Sequence, residues 1–479
     1  MSQQPPSVTW QLRAGVHLDP RYRNAVLNEL HEHEERYSAP AYDVDTAAVL
    51  AEALDARRTA LRWAVPMALL WIAGFLFAGW LFALYAAGCA ALSGAAALRP
   101  ARRPSARVTA AALRVLGGSV LAGSLALAVA GARTTDWPRA TAALAGPVLI
   151  AAVAGAHRAA VERRLRFIGS SAYSGSTRPP PVRGSGALVL ADQTSALVVH
   201  RDPTPFLGSG AVLDSLALAT EVRGRPGAFD VSHALARAAR AVRAVPGLAT
   251  QVEERFLLPE QEAPPRGLSH PRTEGLPDSI RWLRIVSRGL GPRLTTVFVQ
   301  IRRDGPVLFV QQVTCALPPV RREFTAPGGP GARLVPLGAV PAIPGQLLAE
   351  LAAWPVRRAR RLSSPPAHRP PDGPHLSIRE LAAEPDLPPL AAAEAQRISR
   401  TVHLLVLDAV RQELRERGLS APGLDDRWQE AYGNTGIYIG SMSGGTVATG
   451  SQAHGTTHHT SPGPTTNPDD DSWEDDDLG

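Results

Sequence analysis

Between Ala64 and Leu98 the chain runs 35 residues without an Asp, Glu, Lys or Arg. As one α-helix this run would reach about 52 Å, against a bilayer hydrocarbon core of ~30 Å. Two helices of roughly 17 residues fit instead, with a turn near Gly79 and Trp80. The flanking charges favour the hairpin. Arg57, Arg58 and Arg62 precede the run, and Arg99, Arg102, Arg103 and Arg107 follow it. A single span would put one cluster outside, against the positive-inside bias, and a hairpin keeps both inside. Val115–Ala132 and Ala140–Ala156 are two more apolar stretches without charge. The pattern predicts four spans at about 63–79, 82–98, 110–132 and 139–157, in the cell (inner) membrane with both termini cytoplasmic. Ser119 and Gly123, four residues apart, are candidates for close helix packing.

Around the spans the periodicity changes. Asp19-Pro20 predicts a helix start with Tyr22, Val26, Leu27 and Leu30 on one face, and a second helix starts near Asp45 and runs into the first span. Beyond the Gly/Ser/Pro-rich residues 169–186, "ALVLAD" and "ALVVHR" read as short strands, and Ile280–Val286 as another. Residues 294–315 read as an antiparallel hairpin turning at Asp304-Gly305, in a sheet with one face better buried. Val231–Val245, Pro344–Arg361 and Ala391–Arg417 have helical patterns.

The expected organisation is therefore an N-terminal helical segment (1–60), four membrane helices (61–158) and a linker (159–186). A cytoplasmic α+β domain with an antiparallel sheet (187–430) and a disordered tail, Gly-rich and then acidic (431–479), follow. Pro-rich residues 259–277 and 362–375 read as disordered loops. The polar N-terminus has no apolar core typical of a cleavable signal peptide.

Charge and composition narrow the chemistry. The formal charge is +7, although the last eleven residues carry seven carboxylates, so the rest of the chain stands at +14. All 50 basic residues are Arg. Without lysine, a Walker A phosphate loop, a protein-kinase strand lysine and a pyridoxal Schiff base are all excluded. Two distant cysteines, Cys89 and Cys315, argue against a disulfide framework or a thiolate zinc site. "HEHEE" at 31–35 lacks the HExxH spacing and reads as a solvated helix end, and His403 as a hydrogen-bonded residue at a helix edge. "PFLGSG" at 205–210 reads as a turn rather than a nucleotide loop. No catalytic residue, cofactor or metal site is assigned.

Two segments are candidate contact sites. Arg357, Arg358, Arg360 and Arg361 form a cationic cluster suited to anionic lipid headgroups, the alternative being a solvated helix end; nucleic acid is weighed lower. Ile437, Tyr438, Ile439, Thr446 and Val447 are strand formers set among glycines, which suits pairing with copies of themselves or with another protein's sheet edge. The alternative is a flexible linker.

The order of pieces resembles that of uncharacterised multi-pass membrane proteins of high-GC Gram-positive bacteria. The resemblance lies in "LDPRYRNAVLNEL" before the spans, "HRDPTPFLGSG" after them, and a strand pair ending in "ALPPV". It implies no activity and transfers no functional residue. The expected function is that of a non-enzymatic, membrane-anchored scaffold or signalling protein whose partners are the lipid bilayer and, through the tail, another protein or a second copy. A small transporter, or an enzyme acting on a lipid or nucleotide, is the alternative.

Overall fold

The computed structural model describes residues 8–98, 104–131, 137–169, 184–203, 205–224, 229–248, 250–266, 277–288, 294–325, 343–362 and 371–426. Two helices, α1 (Val8–Leu18) and α2 (Pro20–Leu27), precede the apolar region. Asp19 caps α2 by accepting from the Arg21 N–H, with Pro20 at the first helical position where its missing N–H costs nothing. A short wider-turn helix, Asn28–Glu32, follows.

Helix α3 (Thr46–Ala78) starts where the Asp45 carboxylate accepts from Ala48 N at 2.9 Å, and it continues unbroken into the apolar run. It ends at Gly79, whose φ of 55° suits glycine and turns the chain back into α4 (Trp80–Leu98). Helices α5 (Pro104–Gly131) and α6 (Trp137–Gly169) complete the bundle. Three helices are long and apolar enough to cross a membrane among the described residues, within α3, α5 and α6; α4 is apolar but shorter. The pattern of four predicted spans thus stands at three by this measure. Helix α6 also continues to Gly169, through the first eleven residues of the expected linker.

Large apolar side chains such as Leu76, Phe77, Val115 and Val148 point outward from the bundle, while Ala60, Ala64, Ala128 and Ala154 fill its interior. This inversion suits a hydrocarbon solvent, where small residues let helices approach closely. The closest seam pairs Gly88 of α4 with Gly117 of α5. A Cβ on Gly117 would lie 2.9 Å from the Gly88 carbonyl oxygen. Ser119 and Gly123, the expected packing pair, instead face outward, with no neighbour within 4 Å of a Cβ at Gly123.

The N-terminal helices do not stand apart. Leu12, Val16, Tyr22, Val26 and Leu30 share one core with Val49 and Leu50 of α3 and with Val189, Val320, Phe324, Ile378 and Ala382. These residues come from α7 (Ser185–Thr194), α9 (Arg322–Thr325), α11 (Ile378–Leu381) and the segments beside them. "ALVLAD" is therefore helical, as part of α7, and not a strand: six mostly apolar residues fit either period, and here one face packs on the N-terminal core.

The sheet has six strands: β1 (Leu197–His200), β2 (Ala211–Glu221), β3 (Gln251–Pro259), β4 (Arg281–Arg288), β5 (Leu294–Asp304) and β6 (Val307–Leu317). Their order is β1-β3-β4-β5-β6-β2, with β1 parallel to β3 and every other pair antiparallel. The sheet is therefore mixed, mostly antiparallel. The β5–β6 hairpin forms, but Asp304 still pairs with Val307, so the turn is Gly305-Pro306, one residue beyond the expected Asp304-Gly305, with Gly305 at φ 57°.

Helices α8 (Val231–Ala244) and α12 (Pro389–Glu416) cover one face, with Leu235, Val242, Val402 and Val406 against Val297, Val299 and Ile301. The opposite face is covered too. Phe206 packs on Phe298 and Trp282 with ring centroids 4.7 and 5.4 Å apart, so the first eight residues of β5 are all buried, not one face alone. Gln312 Nε2 and Thr314 Oγ1 donate to Ser399 Oγ of α12, at 3.0 and 2.8 Å. Helix α10 (Ile343–Leu362) leaves this domain and lays Ile343 and Leu347 into the membrane-helix core beside Ala64 and Met67.

Candidate functional site

Of three buried carboxylates, Glu52 and Glu350 lie where the N-terminal helices, α3, α6 and α10 meet, and Glu29 lies on the Asn28–Glu32 turn against residues 36 and 375–376. Glu52 on α3, 2% exposed, accepts from Arg13 Nη2 at 2.6 Å and Arg164 Nε at 2.8 Å, and faces His17 Nε2 at 2.9 Å. Glu350 on α10 accepts from Arg23 Nη2 at 2.6 Å and Asn24 Nδ2 at 3.0 Å, with Arg357 Nη1 at 3.3 Å. Glu29, 1% exposed, accepts from Arg36 Nη1 at 2.8 Å and from the His375 N–H at 2.8 Å. Arg36 reaches on to Asp372 at 2.9 Å. Burial alone would push the Glu350 carboxyl up, but Arg23, helped by Asn24 and Arg357, outweighs it and holds the group below the usual carboxylate range.

Glu52 and Glu350 are thus matched by cations from elements far away in sequence, whereas the cation on Glu29, Arg36, lies seven residues on. Such a collar fixes geometry: removing one partner leaves a buried charge uncompensated. Its lone pairs are committed to arginines, which suits clamping rather than proton transfer. Among the described residues no group of three or more His, Cys, Asp or Glu is placed to hold a metal ion.

Beside the collar, a cavity of about 360 Å³ opens between α1, α3 and α6, lined by His17, Asp55, Thr59, Arg163, Arg164 and Phe167 among others. An apolar groove of about 620 Å³ continues along α3 and α6, lined by Trp63, Leu70, Ala73, Ala152 and Val153 among others.

A second clamp holds the segment at 205–210. One Glu380 oxygen accepts from the N–H groups of Gly208 and Gly210, both at 2.7 Å. Burial pushes the Glu380 carboxyl up, against these two N–H donors. "PFLGSG" is accordingly a turn between β1 and β2, as its composition suggests, and it is anchored by a carboxylate 170 residues away.

The residues singled out from sequence fall as follows. Arg357 is spent inside the collar, donating to Asn24 Oδ1 at 3.2 Å as well as to Glu350. Arg358 is exposed and lies over the Trp354 ring, 5.4 Å from its centroid. Arg360 and Arg361 continue α10, and their side chains lie outside the described set. Ile437, Tyr438, Ile439, Thr446 and Val447 lie outside the described residues. "HEHEE" is a docking contact rather than a solvated end: His31 meets Ser185 Oγ at 2.7 Å and Glu32 accepts from Arg57 at 3.0 Å. His403 is half-buried, its Nδ1 has no hydrogen-bond partner among the described residues, and burial pushes its pKa down. Sequence reasoning missed Glu29, Glu52 and Glu350. The one available signal was a lone acid at the edge of an apolar helical stripe, as Glu52 is beside Val49, Ala53 and Ala56.

Residues 281–447, about a third of the chain, match the AbeC-like domain family. The match takes in β4, β5, β6, α10 and α12 and leaves out the membrane helices and β1 to β3. No curated protein and no solved structure matches the chain.

Proposed function

We propose that the protein is a four-span membrane protein with both termini and the sheet domain in the cytoplasm, acting as a non-enzymatic scaffold that holds a protein-binding surface against the bilayer. The observation that carries this reading is the shared core: residues 12–50, before the apolar helices, pack with residues 189–382, after them. Two halves of one core occupy one side of a bilayer, so the number of crossings between them is even. Helices α3, α5 and α6 make three, and α4 supplies the fourth, its 19 residues reaching about 28 Å. The arginines at 57, 58 and 62, at 99–107 and at 158–166 then all flank the proposed cytoplasmic side, as the positive-inside bias requires.

The scaffold reading rests on what is clamped and what is left open. The ion-pair collar joins the domain rigidly to the membrane helices, whereas β2 is an edge strand of 11 residues of which only Thr220 is buried. A long open edge is a surface to which an added strand can pair. Residues 436–447 carry the strand formers for such pairing, with a second copy or with another protein. Cross-linking in intact membranes tests this. Deletion of residues 436–479 is expected to abolish self-association or partner capture while the protein stays in the membrane; unchanged association overturns the reading.

A further inference from the structure

The two cavities along α3 and α6 form a sequence of polarity. On α3 the groove residues run from Trp63 to Ala73, and on α6 from Leu149 to Ala156; the polar pocket follows at Asp55 and Thr59 on α3 and at Ala160 to Phe167 on α6. Ten residues of helix span about 15 Å, the depth of one leaflet of a ~30 Å hydrocarbon core. The polar pocket then falls at headgroup level. Arg163 has no carboxylate partner among the described residues; its Nε donates only to the Ala159 carbonyl at 3.3 Å. Arg164 is held in place by Glu52 at 2.8 Å and lies 3.6 Å from Asp55. Arg13, Arg163 and Arg164 against Glu52 and Asp55 leave one positive charge, which a single phosphodiester cancels.

We propose that this seam is a binding site for one anionic phospholipid, its phosphate on Arg163 with Thr59 beside it and one acyl chain in the groove past Trp63 and Val153. The solvent of that groove is the bilayer itself, and a basic pocket between membrane helices at the cytoplasmic face selects anionic headgroups. Arg164, anchored by Glu52, positions the pocket wall. This site is distinct from the cationic end of α10. It rests on α3 and α6 crossing the membrane, as proposed above.

The test is native mass spectrometry of the full-length protein in detergent, with phosphatidylglycerol, phosphatidylcholine or inorganic phosphate added. One tightly held phosphatidylglycerol is expected, in preference to phosphatidylcholine and without competition from millimolar phosphate. Arg163→Gln should weaken phosphatidylglycerol roughly ten-fold, the loss of one charge-assisted hydrogen bond. Ala152→Trp, which fills the groove, should weaken both lipids. Equal retention of the two lipids, displacement by inorganic phosphate, or a lipid-free dimer closed over the groove would each overturn the proposal. Resistance of the same protein to alkaline extraction reports separately on the spans. A protein that stays in the membrane yet ignores headgroup charge defeats the lipid site alone, and an extractable one defeats the span reading.

Discussion

Glu52→Ala is expected to lower stability by about 3–5 kcal/mol, the usual consequence of removing one partner from a buried charge cluster. Glu52 is 2% exposed and meets Arg13, His17 and Arg164 from α1 and α6. Without it, the Arg13 and Arg164 guanidiniums lose their buried counter-charge, although Arg164 still lies 3.6 Å from Asp55, and the joint between the N-terminal helices and the apolar bundle loosens. Denaturant titration in detergent, read out by proteolysis of residues 8–45, measures the effect. Adding Arg13→Met should recover part of the loss, because one uncompensated cation is then gone. Glu416→Ala, at an exposed pair with Arg237, should leave the midpoint nearly unchanged. A Glu52 variant as stable as the parent would mean that the collar does not hold the two parts together.

Gly210→Ala is expected to cost about 3 kcal/mol or more, through a strained backbone and a forced shift together. Gly210 has φ 92°, and a Cβ there would lie 2.1 Å from the Ala316 carbonyl oxygen, a backbone atom of the neighbouring strand that cannot turn aside. The same shift would pull its N–H from Glu380. Gly305 is the control. It also has positive φ, at 57°, but no atom lies within 4 Å of a Cβ, so Gly305→Ala should cost only about 1 kcal/mol. Paired unfolding curves separate the two, and equal losses would remove the steric argument.

Local chemistry was readable where a residue type has one strong use. Asp45 and Asp19-Pro20 mark helix starts, Asp304-Gly305 marks a hairpin, and the stripe from Ile398 to Leu414 marks α12. Elements whose pattern depends on a distant partner were not readable. β2, "AVLDSLALATE", is rich in small residues and half open to solvent, so its alternation is weak, and its place beside β6 comes from long-range pairing. "ALVLAD" fits both periods, and packing on the N-terminal core selects the helical one. The α4–α5 seam depends on how each helix is rotated, which the spacing of Ser119 and Gly123 does not encode, and Gly88 and Gly117 take the position instead. The collar was the least readable. Arg23 and Glu350 lie 327 residues apart, and Arg357, which local charge density marks for lipid, is used to complete that pair.

The central claim is that the helices between residue 46 and residue 169 cross the bilayer an even number of times, leaving both flanks on one side. Labelling of single cysteines with a membrane-impermeant thiol reagent, in intact and then permeabilised cells, tests it directly, since Cys89 and Cys315 are both buried. Trp80→Cys, at the exposed α3–α4 turn, should react in intact cells, while Ala101→Cys and Ser215→Cys should react only after permeabilisation. Reaction of position 101 from outside in intact cells would make α3 and α4 a single crossing and would contradict the account.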